Sequence, residues 1–401
     1  MKLRVTLRPT SVRRRVLRGI LRWHGPLLAL GWALNNLRWA RVFGFPHIVA
    51  DSRARYLPYA HGIADAGYFA PGHNLRYVGY PLWLSGWLKV GAGPVGAAWG
   101  QLVIAGVAAV AFYHALHQLT RRRAAAIFGT AALVLWPDTQ EFTGFILTES
   151  LAASGLVLTL AALVRARDAR RPLGAWAWAF GVALLTTSLR PNAFVVPLGL
   201  ALAGGTALAA RYGAARVWRG ALVAGILMAP VIWWGLNKLL LTFTLIETYA
   251  RGELLYGYAP WAIHPNGPLW LPPAGWAPAT RLTAFAAHNP VFFLRLVAGK
   301  LGLFFSYARA YHSWGHIALI VGLIWPAYWL AWRGARAQAI WQPARVFLVS
   351  VVLGQAVIVG LTVDDWDGRF LIAVLPAVFA LAAVGWAERC NKASPKISSS
   401  I

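Results

Sequence analysis

The chain has 401 residues, 59% of them hydrophobic and only 12% charged, and its mean hydropathy is +0.55. A soluble domain carries roughly a quarter charged residues, so this composition excludes an ordinary soluble protein and indicates a polytopic membrane protein. The net charge of +26 would suit a nucleic-acid partner, but the arginines stand at the ends of apolar segments, which is the positive-inside pattern. The single cysteine, Cys390, excludes an internal disulfide and a cysteine metal cluster.

Ten apolar segments are predicted to span the membrane, although several are shorter than the roughly 20 residues that a spanning helix needs. A basic cytoplasmic tail, 1–19, precedes them; it resembles the start of a signal peptide but is expected to be retained with the first span. Residues 20–391 form one transmembrane domain, and 392–401 are expected to be a disordered tail. The predicted spans are about 20–44, 93–118, 124–137, 147–164, 173–189, 193–210, 220–241, 314–332, 346–363 and 370–387.

The distribution of charge supports ten spans with both termini in the cytoplasm. With this count the arginine clusters between spans lie inside, and ten of the twelve acidic residues lie outside. Only Asp168 and Glu388 remain on the inner side. Nine or eleven spans would break the partition, so we expect the chemistry on the outer face.

Two outer connections are long, and long ordered loops are usually functional. The first, about 45–92, contains two predicted surface helices, Ser52–Ala66 and Gly79–Val90. The second, about 242–312, is rich in proline, tryptophan and tyrosine and ends in an amphipathic stretch, Asn289 to Tyr307. These two loops are predicted to form the site.

Asp51 opens the first outer loop, and Asp51, Arg55 and Tyr59 would share one helix face at i, i+4, i+8 spacing. A carboxylate held beside cations at the water–lipid boundary suits a general base. The alternative is a helix N-cap from Asp51 or Ser52, with an i,i+4 ion pair between Asp51 and Arg55.

Basic residues lie among the outer acids, and arginine binds phosphate in bidentate fashion. The set therefore predicts binding of a lipid-linked phosphate, with charge balance against neighbouring acids as the alternative. Its members are Arg53, Arg55, Arg190, Arg295, Lys300 and Arg369.

Other acids support weaker interpretations. Glu149 begins the fourth span, where it either complements the helix dipole or belongs to the site. Asp365-Trp366-Asp367 resembles the Asp-x-Asp metal motif of nucleotide-sugar enzymes, but it lies on the outer face with no soluble α/β domain. A divalent cation held by Asp51 and a loop histidine stays open, although no ligand spacing argues for it, and no metal ligand is predicted.

The order and shared sidedness of several short motifs resemble the GT-C superfamily of polytopic glycosyltransferases. The resemblance is to bacterial proteins similar to the dolichyl-phosphate-mannose protein mannosyltransferases and the aminoarabinose lipid A transferase, and it covers most of 20–387. Two departures are Ser52, where the family often has a second acid, and the lack of a sizeable soluble C-terminal domain. The motifs are Asp51–Tyr56, Tyr80–Leu84, Leu147–Leu151, Leu189–Pro191, and Gly368–Leu371 with Leu375-Pro376.

The resemblance implies an all-α membrane enzyme of the bacterial inner membrane with its active site facing the periplasm. It would transfer a sugar from a polyprenyl-phosphate donor to a lipid, glycan or protein acceptor, among membrane lipids and with no nucleic acid. Asp51 would act as base, and Arg53 or Arg55, Arg190 and Arg369 would bind the donor phosphate. The expected substrate-binding residues are Tyr56, Tyr59, Glu149, Trp261 and His264.

The alternative function is a transporter or flippase of a lipid-linked or anionic substrate that uses the same arginines as a translocation site. The absence of an internal repeat weakens the inverted-repeat transporter architecture. A transporter would also carry ionisable residues midway along its spans, whereas the charges here cluster at one boundary.

Overall fold

The structure is a computed structural model that describes residues 11–240, 244–338 and 340–393. Residues 1–10 of the predicted basic tail and 394–401 of the predicted disordered tail lie outside the described residues. Positions 11–19 of the tail are helical and continue into the first apolar segment. Residues 392–393, predicted to be disordered, instead end the last helix.

The described chain is all-α, with 79% of it helical and no strand among these residues. The helices are α1 (Ser11–Phe43), α2 (Leu57–Ala66), α3 (Gly79–Lys89), α4 (Gly93–Thr120), α5 (Arg123–Leu135), α6 (Pro137–Glu141), α7 (Glu149–Arg167), α8 (Pro172–Leu189), α9 (Val195–Tyr212), α10 (Ala214–Leu240), α11 (Leu245–Ala250), α12 (Pro278–His288), α13 (Pro290–Ser306), α14 (Trp314–Leu319), α15 (Trp325–Arg336), α16 (Gln342–Leu361), α17 (Arg369–Ile372) and α18 (Leu375–Ala393).

Seven helical segments among the described residues are long and apolar enough to cross a membrane. An eighth arises if Trp366–Ile372 and Leu375–Cys390, bent by 58° at their junction, form one broken span. The remaining two predicted spans coincide with α1, whose apolar run is interrupted by arginines, and with α5, which has only 13 residues. The protein is therefore an all-α polytopic membrane protein, and each predicted apolar segment is largely helical, although 314–332 and 370–387 each extend over two helices.

Helix α7 lies at the centre of the bundle, because it packs on α4 and α8 and most of its side chains are buried. Helices α15 and α18 approach so closely that a Cβ at Gly334 or Gly385 would collide with the backbone of the opposite helix. Small residues at such crossings let membrane helices pack backbone to backbone. Helix α10 lies at the other extreme, with its apolar side chains exposed.

The two long loops that are predicted to lie outside, which keep the names first and second outer loop, contain the predicted surface helices. Helices α2 and α3 match the first loop, although Ser52–Tyr56 forms a π-helical turn before α2. Helix α13 matches the amphipathic stretch of the second loop. The first loop is tied to the segment before α7, because the Ile146 N–H donates to the carbonyl of His47 at 3.0 Å and Ser52 Oγ donates to the carbonyl of Ile146 at 2.8 Å. This connection places the start of the π turn beside the start of α7.

Candidate functional site

Three carboxylates from three parts of the chain converge on the guanidinium of Arg369. Arg369 Nε donates to Glu149 Oε1 at 2.6 Å. Arg369 Nη1 donates to Asp51 Oδ2 at 2.9 Å and to Asp365 Oδ2 at 3.2 Å. The structure thus joins the first outer loop, the start of α7 and the segment before α17 at one cation. We call Asp51, Glu149, Arg190, Asp365 and Arg369 the Arg369 cluster.

Arg369 is aimed by the turn that precedes it. Gly368 has a φ of +64°, and a Cβ there would collide with the ring of Tyr307, so only glycine fits this position. The guanidinium lies over the ring of Trp366, 4.9 Å from the centroid. The arginine side chain is only 5% exposed, so its charge depends on the neighbouring carboxylates for compensation.

Glu149 and Arg190 form the buried side of the cluster. Glu149 is fully buried as the first residue of α7, where a negative charge also complements the helix dipole. Arg190 follows α8 in extended conformation, and its Nη1 lies 3.0 Å from Glu149 Oε1. Two arginines therefore share one carboxylate oxygen. Glu149 therefore begins a helix, as predicted, and its carboxylate is held by two arginines, while its role in a site stays a prediction.

Asp51 does not cap a helix. Its backbone is helical, with φ −60° and ψ −37°, and its side chain makes no capping hydrogen bond. The predicted i,i+4 neighbour Arg55 has its Nε 4.0 Å from Asp51 Oδ1, while Arg369 is closer. The side chain of Asp51 is 31% exposed, so it remains accessible to a ligand. The N-cap interpretation is wrong for Asp51.

Asp365 belongs to the cluster, although the sequence offered only a weak metal-motif interpretation for it. Its side chain also accepts a hydrogen bond from the N–H of Trp366 at 2.9 Å. Burial raises the pKa of Asp365, and the nearby Arg369 only partly offsets this. The sequence carried little signal for its pairing with Arg369, because the chain between them is not an α-helical turn: Asp365 is extended, and Asp367 and Gly368 have positive φ values of 50° and 64°.

Four members of the cluster, Asp51, Arg190, Asp365 and Arg369, form the polar wall of a cavity of about 370 Å³, and the fully buried Glu149 lies behind them. The cavity lies between the outer loops, the turn before α9 and the upper ends of α10 and α16. Such a volume lies in the range of small-molecule binding sites. The remaining lining is mostly apolar. It comprises Arg55, Tyr56, Tyr77, Thr148, Pro191, Asn192, Phe194, Leu236, Leu240, Leu282, Val357, Ile358, Leu361, Thr362 and Phe370.

The charges around this cavity balance. Arg55, Arg190 and Arg369 face Asp51, Glu149 and Asp365, three cations against three anions. Burial and the charge of Glu149 raise the pKa of Tyr56 to about 12, so its hydroxyl stays protonated at neutral pH and can donate to a ligand. A monoanionic ligand would bring the total charge of the filled site to −1, held by three arginines.

The structure separates the predicted substrate residues into two groups. Tyr56 lines the cavity, and Glu149 belongs to the Arg369 cluster. Tyr59 is buried elsewhere, because the π turn shifts the helical register and its hydroxyl lies 3.5 Å from the carbonyl of Ala70. Trp261 packs against Tyr258 in the second outer loop, and His264 is exposed there.

The predicted basic residues separate in the same way. Arg55, Arg190 and Arg369 line the cavity, whereas Arg53 is exposed and outside its lining. Arg295 is exposed, with its Nη1 3.4 Å from Asn266 Oδ1. Lys300 is buried in α13, donates to the carbonyl of Thr362, and lies over the ring of Tyr249. Shared sidedness alone did not distinguish these positions.

A second polar pocket, of about 470 Å³, lies where α1, α6 and α14 meet. Asp138 Oδ2 accepts a hydrogen bond from Tyr307 Oη at 2.6 Å and lies 3.1 Å from His316 Nε2. The rings of His312 and His316 stack at 4.1 Å. Burial and the nearby carboxylates of Asp138 and Asp367 raise the pKa of Glu141, which also lines the pocket, to about 8.

No group of three or more histidine, cysteine or acidic side chains suited to a metal ion occurs in the described part of the chain. The interpretation of a cation held by Asp51 with a loop histidine gains no support, because no described histidine lines the cavity. Comparisons with models of known protein families, with curated proteins and with solved structures find no match.

Proposed function

We propose that the protein is a GT-C-type glycosyltransferase that moves a sugar from a polyprenyl-phosphate donor to an acceptor. The reaction would take place on the periplasmic face of a bacterial inner membrane. In this topology the chain crosses the membrane ten times, with both termini in the cytoplasm. The resemblance of the sequence motifs supports the reaction class, and the positive-inside charge pattern supports the orientation.

One observation carries the proposal: a cavity whose polar wall is formed by members of the Arg369 cluster and whose remaining wall is mostly apolar. Such a cavity suits a ligand with a charged group attached to hydrocarbon. Residues from the first outer loop, the end of α8 and the segment around the start of α17 supply the charges, while α10, α16 and the turn before α9 supply apolar side chains. A polyprenyl phosphate has both properties, whereas a water-soluble nucleotide sugar has no hydrocarbon chain to match the apolar wall.

The apolar wall is continuous with the surface that would face lipid. Val357 on α16 lines the cavity and is 57% exposed. Leu236 on α10 also lines it and is 38% exposed. A long hydrocarbon chain could therefore leave the cavity between these helices and continue into the bilayer, while its phosphate stays near the arginines.

Asp51 is the carboxylate best suited to act as base in this site. It is more exposed than Glu149 and Asp365, so it is the carboxylate of the cluster that an acceptor hydroxyl can best reach. In the proposed reaction an acceptor hydroxyl attacks the anomeric carbon as its proton passes to Asp51. The bond between the anomeric carbon and the phosphate oxygen breaks, and polyprenyl phosphate leaves.

The leaving phosphate gains negative charge during this step. Arg55 and Arg190 line the cavity and have fewer carboxylate partners than Arg369, so they are the groups best placed to stabilise the phosphate. Arg190 Nε donates to Asn192 Oδ1 at 2.9 Å, which orients its guanidinium.

The depth of the charges favours an enzyme over a transporter. Glu149 is the first residue of α7, Arg190 follows the last residue of α8, and Arg369 is the first residue of α17. These groups lie at one end of the bundle. A translocation path would require ionisable groups midway along the spans.

The test compares two arginines that are two residues apart. Wild type, Arg55→Ala and the matched control Arg53→Ala would be purified in detergent, and their retained lipids analysed by mass spectrometry. We expect a polyprenyl phosphate or its glycoside in wild type and in Arg53→Ala, and much less in Arg55→Ala. A retained glycoside would also identify the sugar.

A transfer assay follows, with the retained glycoside or short-chain polyprenyl-phosphate sugars as donors. Release of polyprenyl phosphate together with a glycosylated acceptor would support the enzyme. Ordinary phospholipids alone in all three samples, with no transfer, would contradict it. Movement of the intact donor across proteoliposome membranes without transfer would establish the transporter instead.

A further inference from the structure

We infer that Arg369 takes the place at the three carboxylates that a divalent cation would otherwise hold, so that the site works without a bound metal ion. The geometry of the Arg369 cluster alone shows which groups occupy the carboxylates. That sugar transfer needs no metal rests also on the proposed function.

Asp51, Glu149 and Asp365 come from separate segments and direct one oxygen each toward the point at which the guanidinium lies. With the arginine in place these side chains, like the others in the described part of the chain, do not form a group suited to a metal ion. Without it, three carboxylates would surround a vacated volume and could close on a divalent cation, which prefers oxygen ligands. The guanidinium occupies that point, with its nitrogens 2.6, 2.9 and 3.2 Å from the three oxygens. Oxygen ligands of Mg²⁺ and Ca²⁺ lie at roughly 2.0–2.6 Å from the ion, so an ion and this guanidinium cannot share the position.

A metal could enter only by displacing a buried, fixed arginine. The side chain of Arg369 is held between the carboxylates and the ring of Trp366. The charges also argue against an additional ion, because Arg190 shares Glu149 and Arg55 lies beside Asp51. Two further positive charges would leave the cluster and Arg55 together with a net charge of +2, which is unfavourable where most of these side chains are buried.

The second polar pocket does not offer a better set. Asp138 already accepts a hydrogen bond from Tyr307 and lies beside His316. His312 Nε2 is 3.9 Å from Asp367 Oδ1. The described side chains of this pocket do not form a group suited to a metal.

Truncation of Arg369 is expected to create a metal-binding site. Arg369→Ala leaves three carboxylates around a vacated volume, so the variant should bind a divalent cation that wild type does not. The probe is Mn²⁺ added to the purified full-length chain, with the free ion measured by electron paramagnetic resonance. We expect no stoichiometric binding to wild type or to the control Arg295→Ala, and about one ion per chain in Arg369→Ala.

A double variant, Arg369→Ala with Glu149→Gln, tests whether the ion uses these carboxylates, and it should lose the binding. Thermal unfolding provides a second readout, because Mn²⁺ should raise the Tm of Arg369→Ala and leave that of wild type unchanged. If Arg369→Ala does not fold, Arg369→Gln, which is closer in volume, takes its place in both measurements.

Three results would overturn the inference. The first is stoichiometric Mn²⁺ binding to wild type that Asp51→Asn weakens, and the second is a folded Arg369 variant that binds no ion. The third is loss of wild-type transfer in EDTA that added metal restores, because we expect transfer to be unchanged in EDTA. The binding measurements need no substrate, so they decide the metal question even if wild type shows no transfer, which would count against the proposed function alone.

Discussion

Two arginine–carboxylate sites lie next to each other in the turn before α17, and they differ in access. Asp364 pairs with Arg309 at 2.6 Å, and both side chains are fully buried. Its neighbour Asp365 pairs with Arg369 at 3.2 Å, is 23% exposed and lines the cavity. The chemistry of the two pairs is the same. Contact with a cavity, rather than ion pairing, distinguishes a candidate site from a structural pair.

The Arg309–Asp364 pair connects three segments that enclose the site. Arg309 Nη1 donates to the carbonyl of Leu303 at 2.8 Å, and the backbone of Asp364 bonds to Leu254 and Tyr256 in the second outer loop. Because the pair is fully buried, removal of one partner leaves an uncompensated charge. Variants of this pair should therefore affect stability, whereas variants of the cavity side chains should affect the reaction.

The largest effect is expected for Asp51→Asn on transfer. Loss of the base should lower the transfer rate about 100- to 10,000-fold. The free energy of unfolding should change by about 1 kcal/mol or less, since the pair is part-exposed and Asn can still accept from Arg369. Transfer kinetics and unfolding in detergent measure the two quantities. Retained activity in a folded variant would show that Asp51 is not the base.

The next largest effect is expected for Arg309→Ala on stability. The variant leaves Asp364 buried without its cation, which should lower the free energy of unfolding by about 3–5 kcal/mol. Denaturant-induced unfolding in detergent measures the loss. Arg55→Ala, which removes an exposed partner of Asp51, is the matched control and should change stability by about 1 kcal/mol or less. Equal losses of unfolding free energy in Arg309→Ala and Arg55→Ala would show that the buried pair is no more important for stability than the cavity pair.

A smaller effect, dependent on pH, is expected for Lys300→Met. Burial lowers the pKa of Lys300 to about 7, although Glu253 partly offsets this. Between this value and the ordinary lysine pKa of roughly 10.5, the unfolded chain holds a proton that the folded chain lacks. Folding stability contributed by this group therefore rises with pH through this window, by up to about 1.4 kcal/mol per pH unit.

The methionine variant removes this proton difference, so its stability should be less dependent on pH between about 7 and 9 than that of wild type. Arg295→Met, an exposed position on the same helix, provides the control and should keep the dependence of wild type. Parallel pH profiles for wild type and Lys300→Met would show that Lys300 is charged in the folded chain at pH 9.

The smallest effect is expected for the two tyrosines of the first outer loop. Tyr56→Phe removes a protonated hydroxyl from the cavity and should raise the KM for the donor about 5- to 10-fold, as expected for one hydrogen bond. Tyr59→Phe lies outside the cavity and should leave KM unchanged. An equal rise in both variants would mean that the effect comes from packing of the loop.

Helix positions, the all-α class and several cavity residues were predictable from the sequence, because apolar runs and charges at their ends mark helix boundaries. The membership of Asp365 was harder to predict, since three acids in four residues point to different partners. The sequence could not show whether Arg53 or Arg55 lines the cavity, because the π turn decides which of the two side chains reaches it. The prediction that Tyr59 shares a helix face with Asp51 was wrong for the same reason, since i+8 spacing assumes an uninterrupted α-helix.

The π turn at Ser52–Tyr56 gives the first outer loop one residue more than an α-helical turn needs. Deletion of a single residue there would convert the π turn into an α-helical turn. Because the wider turn takes up the extra residue, α2 would keep the face that it presents, and Asp51 and the residues before it would keep their contacts. Only the residues within the turn would change position, so the turn adjusts which side chain reaches the cavity independently of the carboxylate that Arg369 holds.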